Sequence, residues 1–171
     1  GLEDLGHGLL GGADLLDAGV LEHVVHAGQV GQLALDVSLH EHGAELAFTY
    51  QGDQILRRLS PLAQSVGSDI MIPCDVSDED NIDKAFETLG EHWDNIDFLV
   101  HAVAYSDKEE LKGLYLDTSL KNFLWSMHIS CYSFTSVMRR ASKMMKDGGA
   151  ALTLSYLGAQ RVMPNYNVMG V

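Results

Sequence analysis

From residue 44 onward, short apolar runs alternate with segments whose apolar residues recur every three or four positions. Strands separated by helices cannot be joined by tight hairpins, so they lie parallel in one sheet with helices on its faces. Ala44-Glu-Leu-Ala-Phe-Thr-Tyr50 reads as a strand, with Gly43 closing a helix before it. Ile55, Leu59, Leu62 and Val66 form one stripe of a short helix, and Asp69-Ile-Met-Ile-Pro73 is the next strand. Ser77-Asp-Glu-Asp80 reads as a capping-box variant, opening a helix with Ile82, Ala85, Phe86, Leu89 and Trp93 inward. Ile96-Asp-Phe-Leu-Val-His-Ala102 is a buried strand. Thr118 or Ser119 then caps a long helix reaching about Lys146, with Phe123, Met127, Phe134, Met138, Ala141 and Met145 inward. Asp147-Gly-Gly149 ends it, before a strand over Ala150–Leu154.

This order predicts an α/β fold with a doubly wound, Rossmann-like parallel sheet. Ligands in such sheets lie beyond the carboxyl ends of the strands, near the switch in strand order. Gln51, Asp75-Val76, Val103-Ala104 and Ser155-Tyr156 all fall just past a strand's carboxyl end. Their convergence predicts a site there.

Composition narrows the function. At 171 residues the chain suits one domain with a real core. A net charge of −13 leaves no basic stripe for phosphates and excludes nucleic acid as a partner. No apolar run approaches the roughly 18 residues that span a membrane. The start lacks the basic segment of a signal peptide. Cys74 and Cys131 are far apart in sequence and read as reduced thiols of a cytoplasmic protein.

Residues 1–38 differ from the rest. No Lys or Arg precedes Arg57 and no aromatic residue precedes Phe48, while Gly and Leu dominate and the charges are Asp and Glu. The composition boundary near residue 39 predicts that residues 1–38 make few contacts to the sheet. Gly6-His-Gly-Leu-Leu-Gly11 matches a phosphate-binding glycine fingerprint, but only five residues precede it, too few and too acidic for a buried first strand. The match reads as chance. His7, His23, His26, His40 and His42 lack a ligand spacing with a carboxylate, so no metal site is expected.

Several segments together resemble one family. They are His40-Glu-His-Gly-Ala-Glu-Leu-Ala-Phe-Thr-Tyr-Gln51, Cys74-Asp-Val76, Asp97-Phe-Leu-Val-His-Ala-Val-Ala104, Ser130-Cys-Tyr-Ser-Phe134 and the tail from Ser155 to Val171. In order and spacing, residues 39–171 resemble the bacterial enoyl-[acyl-carrier-protein] reductases, a divergent branch of the short-chain dehydrogenases. An ordinary short-chain dehydrogenase carries a lysine where Gly170 stands. The resembled branch uses a longer spacing, which places its lysine two positions past Val171. The chain therefore reads as a fragment truncated after Val171, with a Rossmann-like domain incomplete at both ends. Residues 1–38 read as a non-family segment that frameshift, misassembly or fusion would each produce.

The resemblance implies NADH-dependent reduction of a trans-2-enoyl thioester on acyl carrier protein, in fatty acid biosynthesis. It assigns Tyr166 as the hydrogen-bond donor to the thioester oxygen and Tyr156 as an assisting catalytic residue. Gln51 lies near the adenosine ribose, Asp75 accepts from the adenine amine and Val76 packs on the adenine face. Val103 and Ala104 bring backbone close to the cofactor, and Ser106 contacts substrate. With Gln51 in place of an acidic residue, NADH over NADPH follows from the resemblance alone. The family implies a homotetramer. The polar loop Tyr105–Asp117 suits a mobile, substrate-side lid. A fragment of this kind is expected to bind NADH poorly and to lack useful activity. The alternative reading is a catalytically inactive Rossmann-like fragment with at most weak binding or self-association.

Overall fold

Each apolar run becomes a strand because its side chains can be buried on both faces of a parallel sheet. The computed structural model describes residues 23–28, 33–155 and 157–171. Strands β1 (His23–Gly28), β2 (Glu45–Tyr50), β3 (Ile70–Pro73), β4 (Phe98–Ala102) and β5 (Ala150–Thr153) are all parallel, in the order β3-β2-β1-β4-β5. The switch in strand order falls between β1 and β4, as a doubly wound, Rossmann-like sheet requires. In register, Val25 of β1 pairs with Ala47 of β2 on one side and Leu99 of β4 on the other.

That centre corrects one expectation. Residues 1–38 were to make few contacts to the sheet, yet His23–Gly28 is its middle strand, bonded on both sides. Its sequence His-Val-Val-His-Ala-Gly carries only three apolar residues inside a glycine- and histidine-rich stretch, so composition concealed it. Helix α1 (Leu33–Glu41) then runs across the composition boundary near residue 39. The Gly6–Gly11 segment and the β1–α1 turn lie outside the described residues.

Alternating side chains split the core in two. Leu46, Phe48, Phe98 and Val100 face α1 and α2 (Gly52–Ser65), packing with Leu39, Leu59, Leu62, Ala63 and Val66. Ala47, Ile72 and Leu99 face the opposite layer, α3 (Glu79–His92) and α5 (Ser133–Met144), with Ile82, Ala85, Leu89, Val137 and Ala141. Helix α3 is capped by Asp78, whose carboxylate accepts from the amides of Asp80 and Asn81, so the capping box at Ser77 is displaced by one residue. Ser77 bonds Asp75 instead. Arg140 clasps α5 to α3 through Glu79 at 2.6 Å and Asp83 at 2.8 Å.

The long helix is not continuous. Ser119, not Thr118, caps α4 (Leu120–Met127), a π-helical segment follows at His128–Tyr132, and α5 completes the run to Met144. Its buried face consists mostly of small or polar residues, Asn122, Ser126, Ile129, Ser133, Ser136, Val137 and Ala141, while Met127 is exposed. The wider π turn interrupts the regular helical period, so a straight stripe of methionine and phenylalanine does not describe it. After β5, a 3₁₀ turn (Leu157–Ala159) leads to the short helix α6 (Asn167–Gly170).

Candidate functional site

The carboxyl ends of β2, β3 and β4 open together, and the chain leaves the sheet there in three successive turns. Between them lies a cavity of about 340 Å³, lined by Thr49, Tyr50, Gln51, Ile55, Cys74, Asp75, Val76, Val103, Ala104, Tyr105, Trp125 and Ile129. Four residues expected from the sequence to bind one ligand, Gln51, Asp75, Val76 and Val103, share this wall. Ala104 joins them.

Asp75 is the polar centre of the cavity. Its Oδ1 accepts from the Ser77 amide at 2.9 Å and the Ser77 hydroxyl at 2.7 Å, and its Oδ2 accepts from Gln51 Nε2 at 2.7 Å. Burial alone would raise its pKa. The Ser77 hydroxyl, the Ser77 amide and the Gln51 amide, aided by the nearby His128, outweigh burial and hold the carboxyl below its ordinary value. It is therefore a fixed anionic acceptor at neutral pH, beside the apolar side chains of Val76, Ile55 and Ile129. Such a site suits a flat ring that bears an amino group. Cys74 lies in the same wall, but burial pushes its thiol up to about 11, which makes it packing rather than a nucleophile.

Ser106 does not line the cavity. Its hydroxyl is bonded to Asn122, whose Nδ2 donates to it at 3.1 Å. Tyr166 stands apart too, as the residue that precedes α6, with 40% of its surface exposed. Tyr156 lies outside the described residues. The loop after Tyr105 is more firmly tied than a free lid. Asn122 Oδ1 accepts from the Asp107 amide at 3.0 Å, Ser130 Oγ bonds both backbone groups of Tyr105, and Asn167 Nδ2 donates to the carbonyls of Glu110 and Lys112. Glu110 in turn accepts from the amide and hydroxyl of Ser119, fixing the loop to the start of α4.

The sequence did not single out Trp125, Ile129 or Tyr105 as wall residues. Tyr105 follows β4 directly and was legible by position. Trp125 and Ile129 come from α4 and the π segment, whose irregular turn hides which side chains face the sheet. Among the described residues, no group of His, Cys, Asp or Glu side chains is placed to hold a metal ion, and no helix is long and apolar enough to cross a membrane.

Comparison with known proteins agrees with this architecture. The family model for enoyl-(acyl carrier protein) reductase matches residues 34–171. The chain is 54% identical over 134 residues to the NADH enoyl-[acyl-carrier-protein] reductase 2 of Rhizobium meliloti, covering 78% of this chain and 50% of that protein. It is 46% identical over 164 residues to the corresponding NADH enzyme, FabI, of Rickettsia bellii, covering 96% of this chain and 61% of that protein. A crystal structure of the Anaplasma phagocytophilum enoyl-(acyl-carrier-protein) reductase in complex with NAD superposes with a TM-score of 0.80 at 50% identity, over 87% of this chain and 58% of that one. The chain thus spans from half to about three-fifths of these relatives. With its strand order, its cavity and a family match over most of its length, the chain belongs to the enoyl-(acyl carrier protein) reductase family.

Proposed function

We propose that the cavity at the carboxyl ends of β2, β3 and β4 takes the adenosine half of NADH, and that the chain serves the reduction of a trans-2-enoyl thioester carried on acyl carrier protein. The observation that carries this reading is the convergence of Gln51, Asp75, Val76 and Val103 on one wall, with Asp75 held ionised. Its volume of about 340 Å³ lies at the low end for small-molecule sites, suited to one part of a dinucleotide.

Asp75 accepts from the exocyclic amine of adenine, Val76 covers the ring face, and Gln51, oriented by its bond to Asp75, meets the ribose. Val103 and Ala104, with small side chains at the end of β4, let the rest of the cofactor run close along the backbone. When bound, the reduced nicotinamide supplies hydride to the β-carbon of the enoyl thioester. Charge then develops on the thioester oxygen, where the Tyr166 hydroxyl donates a hydrogen bond and Tyr156 assists, and the α-carbon takes up a solvent-derived proton as the carbonyl re-forms. Ser106 stands on the substrate side of the loop. The same reading assigns a homo-oligomeric enzyme of the cytoplasm, and the exposed Leu116, Leu120 and Leu124 support an assembly that covers them.

Titration of the protein with NADH and NADPH, followed by assay on a trans-2-enoyl thioester, tests the reading. Saturable NADH binding that Asp75→Asn weakens supports it. Weak NADH binding that Asp75→Asn leaves unchanged favours the alternative, a catalytically inactive Rossmann-like fragment.

A further inference from the structure

His101 sits in the middle of the apolar strand β4 and is 1% exposed. A ring with two polar nitrogens is costly to bury unless both are bonded. Here both are. Nε2 lies 2.8 Å from Ser133 Oγ, and Nδ1 lies 3.2 Å from Thr153 Oγ1. Ser133 uses its own hydroxyl hydrogen on the Ile129 carbonyl at 2.6 Å. Its oxygen must therefore accept from the ring, which puts the imidazole proton on Nε2 and leaves Nδ1 to accept from the Thr153 hydroxyl. Burial pushes the ring's pKa down to about 4, so it is neutral in this role. The edge of the ring also meets Phe134, with centroids 5.4 Å apart at 75°.

Two of the three segments joined by this ring, β4 and the π segment, lead to the cavity, and the third, β5, is the neighbour of β4 in the sheet. β4 ends at Ala102, one residue beyond His101, and the next two residues, Val103 and Ala104, line the cavity. Ser133 and Ile129 belong to the π segment and the turn after it, and Ile129 is a cavity wall. Thr153 ends β5, and the next amide, Leu154, donates to the His101 carbonyl at 3.2 Å. Hydrophobic packing alone would not require a two-ended polar connector at this point. A chain of bonds from Thr153 through the ring and Ser133 to the Ile129 carbonyl fixes the spacing of all three.

We propose that His101 is a positioning residue for the nucleotide cavity, setting where Val103, Ala104 and Ile129 stand by tying β4 to β5 and to the π segment. The inference rests on the nucleotide reading only for its binding consequence; its geometric content stands apart.

The test compares His101→Phe, which keeps ring volume and the Phe134 contact, with His101→Gln, which restores one donor and one acceptor. Crystal structures of both variants without ligand report the geometry, nitrogen NMR of the wild-type ring reports the tautomer, and fluorescence titration reports the NADH dissociation constant. The expected result is a neutral Nε2–H ring, displacement of Ile129 and Ala104 in the Phe variant, and about tenfold weaker NADH binding that Gln largely restores. An unmoved cavity in the Phe variant, or a ring protonated on Nδ1, overturns the proposal. So does an equal loss of affinity in both variants that merely tracks a lowered melting temperature. If the wild-type protein binds no NADH, the cofactor reading fails, while the two structures still decide the role of His101.

Discussion

The cavity wall and the tail after β5 are built on different physical terms. Most wall residues stand at the carboxyl ends of β2, β3 and β4, above a core in which Phe48, Leu99 and Val100 are almost fully buried. Its one charge, Asp75, is held by bonds from Ser77 and Gln51, with acceptor capacity left on Oδ2. From Ala151 to Tyr166 most described residues are exposed, and within α6 only Val168 is fully buried. On the proposed reading, cofactor binding falls to the strand-end wall, whereas the Tyr166 hydroxyl stands at the start of a short helix tied to the loop by Asn167. Binding and chemistry should therefore respond separately to mutation.

The largest expected effect comes from the shared foundation. Leu99→Ala, beneath the cavity and wholly buried, should cost about 2–5 kcal/mol of stability and abolish nucleotide binding with it. Val168→Ala should cost less and act on the tail, seen as faster proteolysis after β5 with NADH affinity unchanged. Equal effects of the two on affinity would break the comparison.

Next is Tyr166→Phe, which removes the donor hydroxyl and keeps the ring. In active enzyme kcat should fall by about 10²–10³, the loss typical of one charge-stabilising donor, while the NADH dissociation constant and melting temperature stay constant. Joint loss of binding and rate would place Tyr166 in the cofactor site instead.

A third effect depends on pH. The His101 pKa is lowered from 6.5 to about 4 in the folded protein, so the unfolded chain binds the extra proton between those values. Its contribution is fully present above pH 6.5 and is lost as pH falls toward 4. The loss is about 3 kcal/mol, the free energy of moving the pKa from 6.5 to about 4. Denaturant unfolding from pH 7 to 4 should show this slope, and His101→Phe should flatten it. The smallest effect is that of Asp75→Asn, about tenfold in NADH affinity through loss of a charged acceptor, with little change in stability.

Much of this architecture was legible because its signals are local. Leu46, Phe48, Ile72, Leu99 and Val100 announce strands by their own sequence, and the strand ends at Gln51, Asp75 and Val103 follow from them. β1 was not legible. Its place between β2 and β4 is set by pairing on both sides, which no property of His-Val-Val-His-Ala-Gly reveals. The π segment was hidden for a different reason: Ser133 satisfies the Ile129 carbonyl four residues back through its side chain, a local bond that the period of apolar residues does not record. The roles proposed for Tyr156 and Tyr166 rest on family resemblance alone, because the geometry around Tyr166 does not by itself mark a donor.

The most direct measurement uses the chain's own reporters. Of its two tryptophans, Trp125 lines the cavity and Trp93 is buried at the end of α3. In Trp93→Phe protein, titration with NADH should quench Trp125 emission saturably, and ADP-ribose, which carries the adenosine and pyrophosphate without the nicotinamide, should compete. NADH binding that leaves Trp125 emission unchanged, or that ADP-ribose fails to displace, would contradict the assignment of this cavity to the adenosine half of the cofactor.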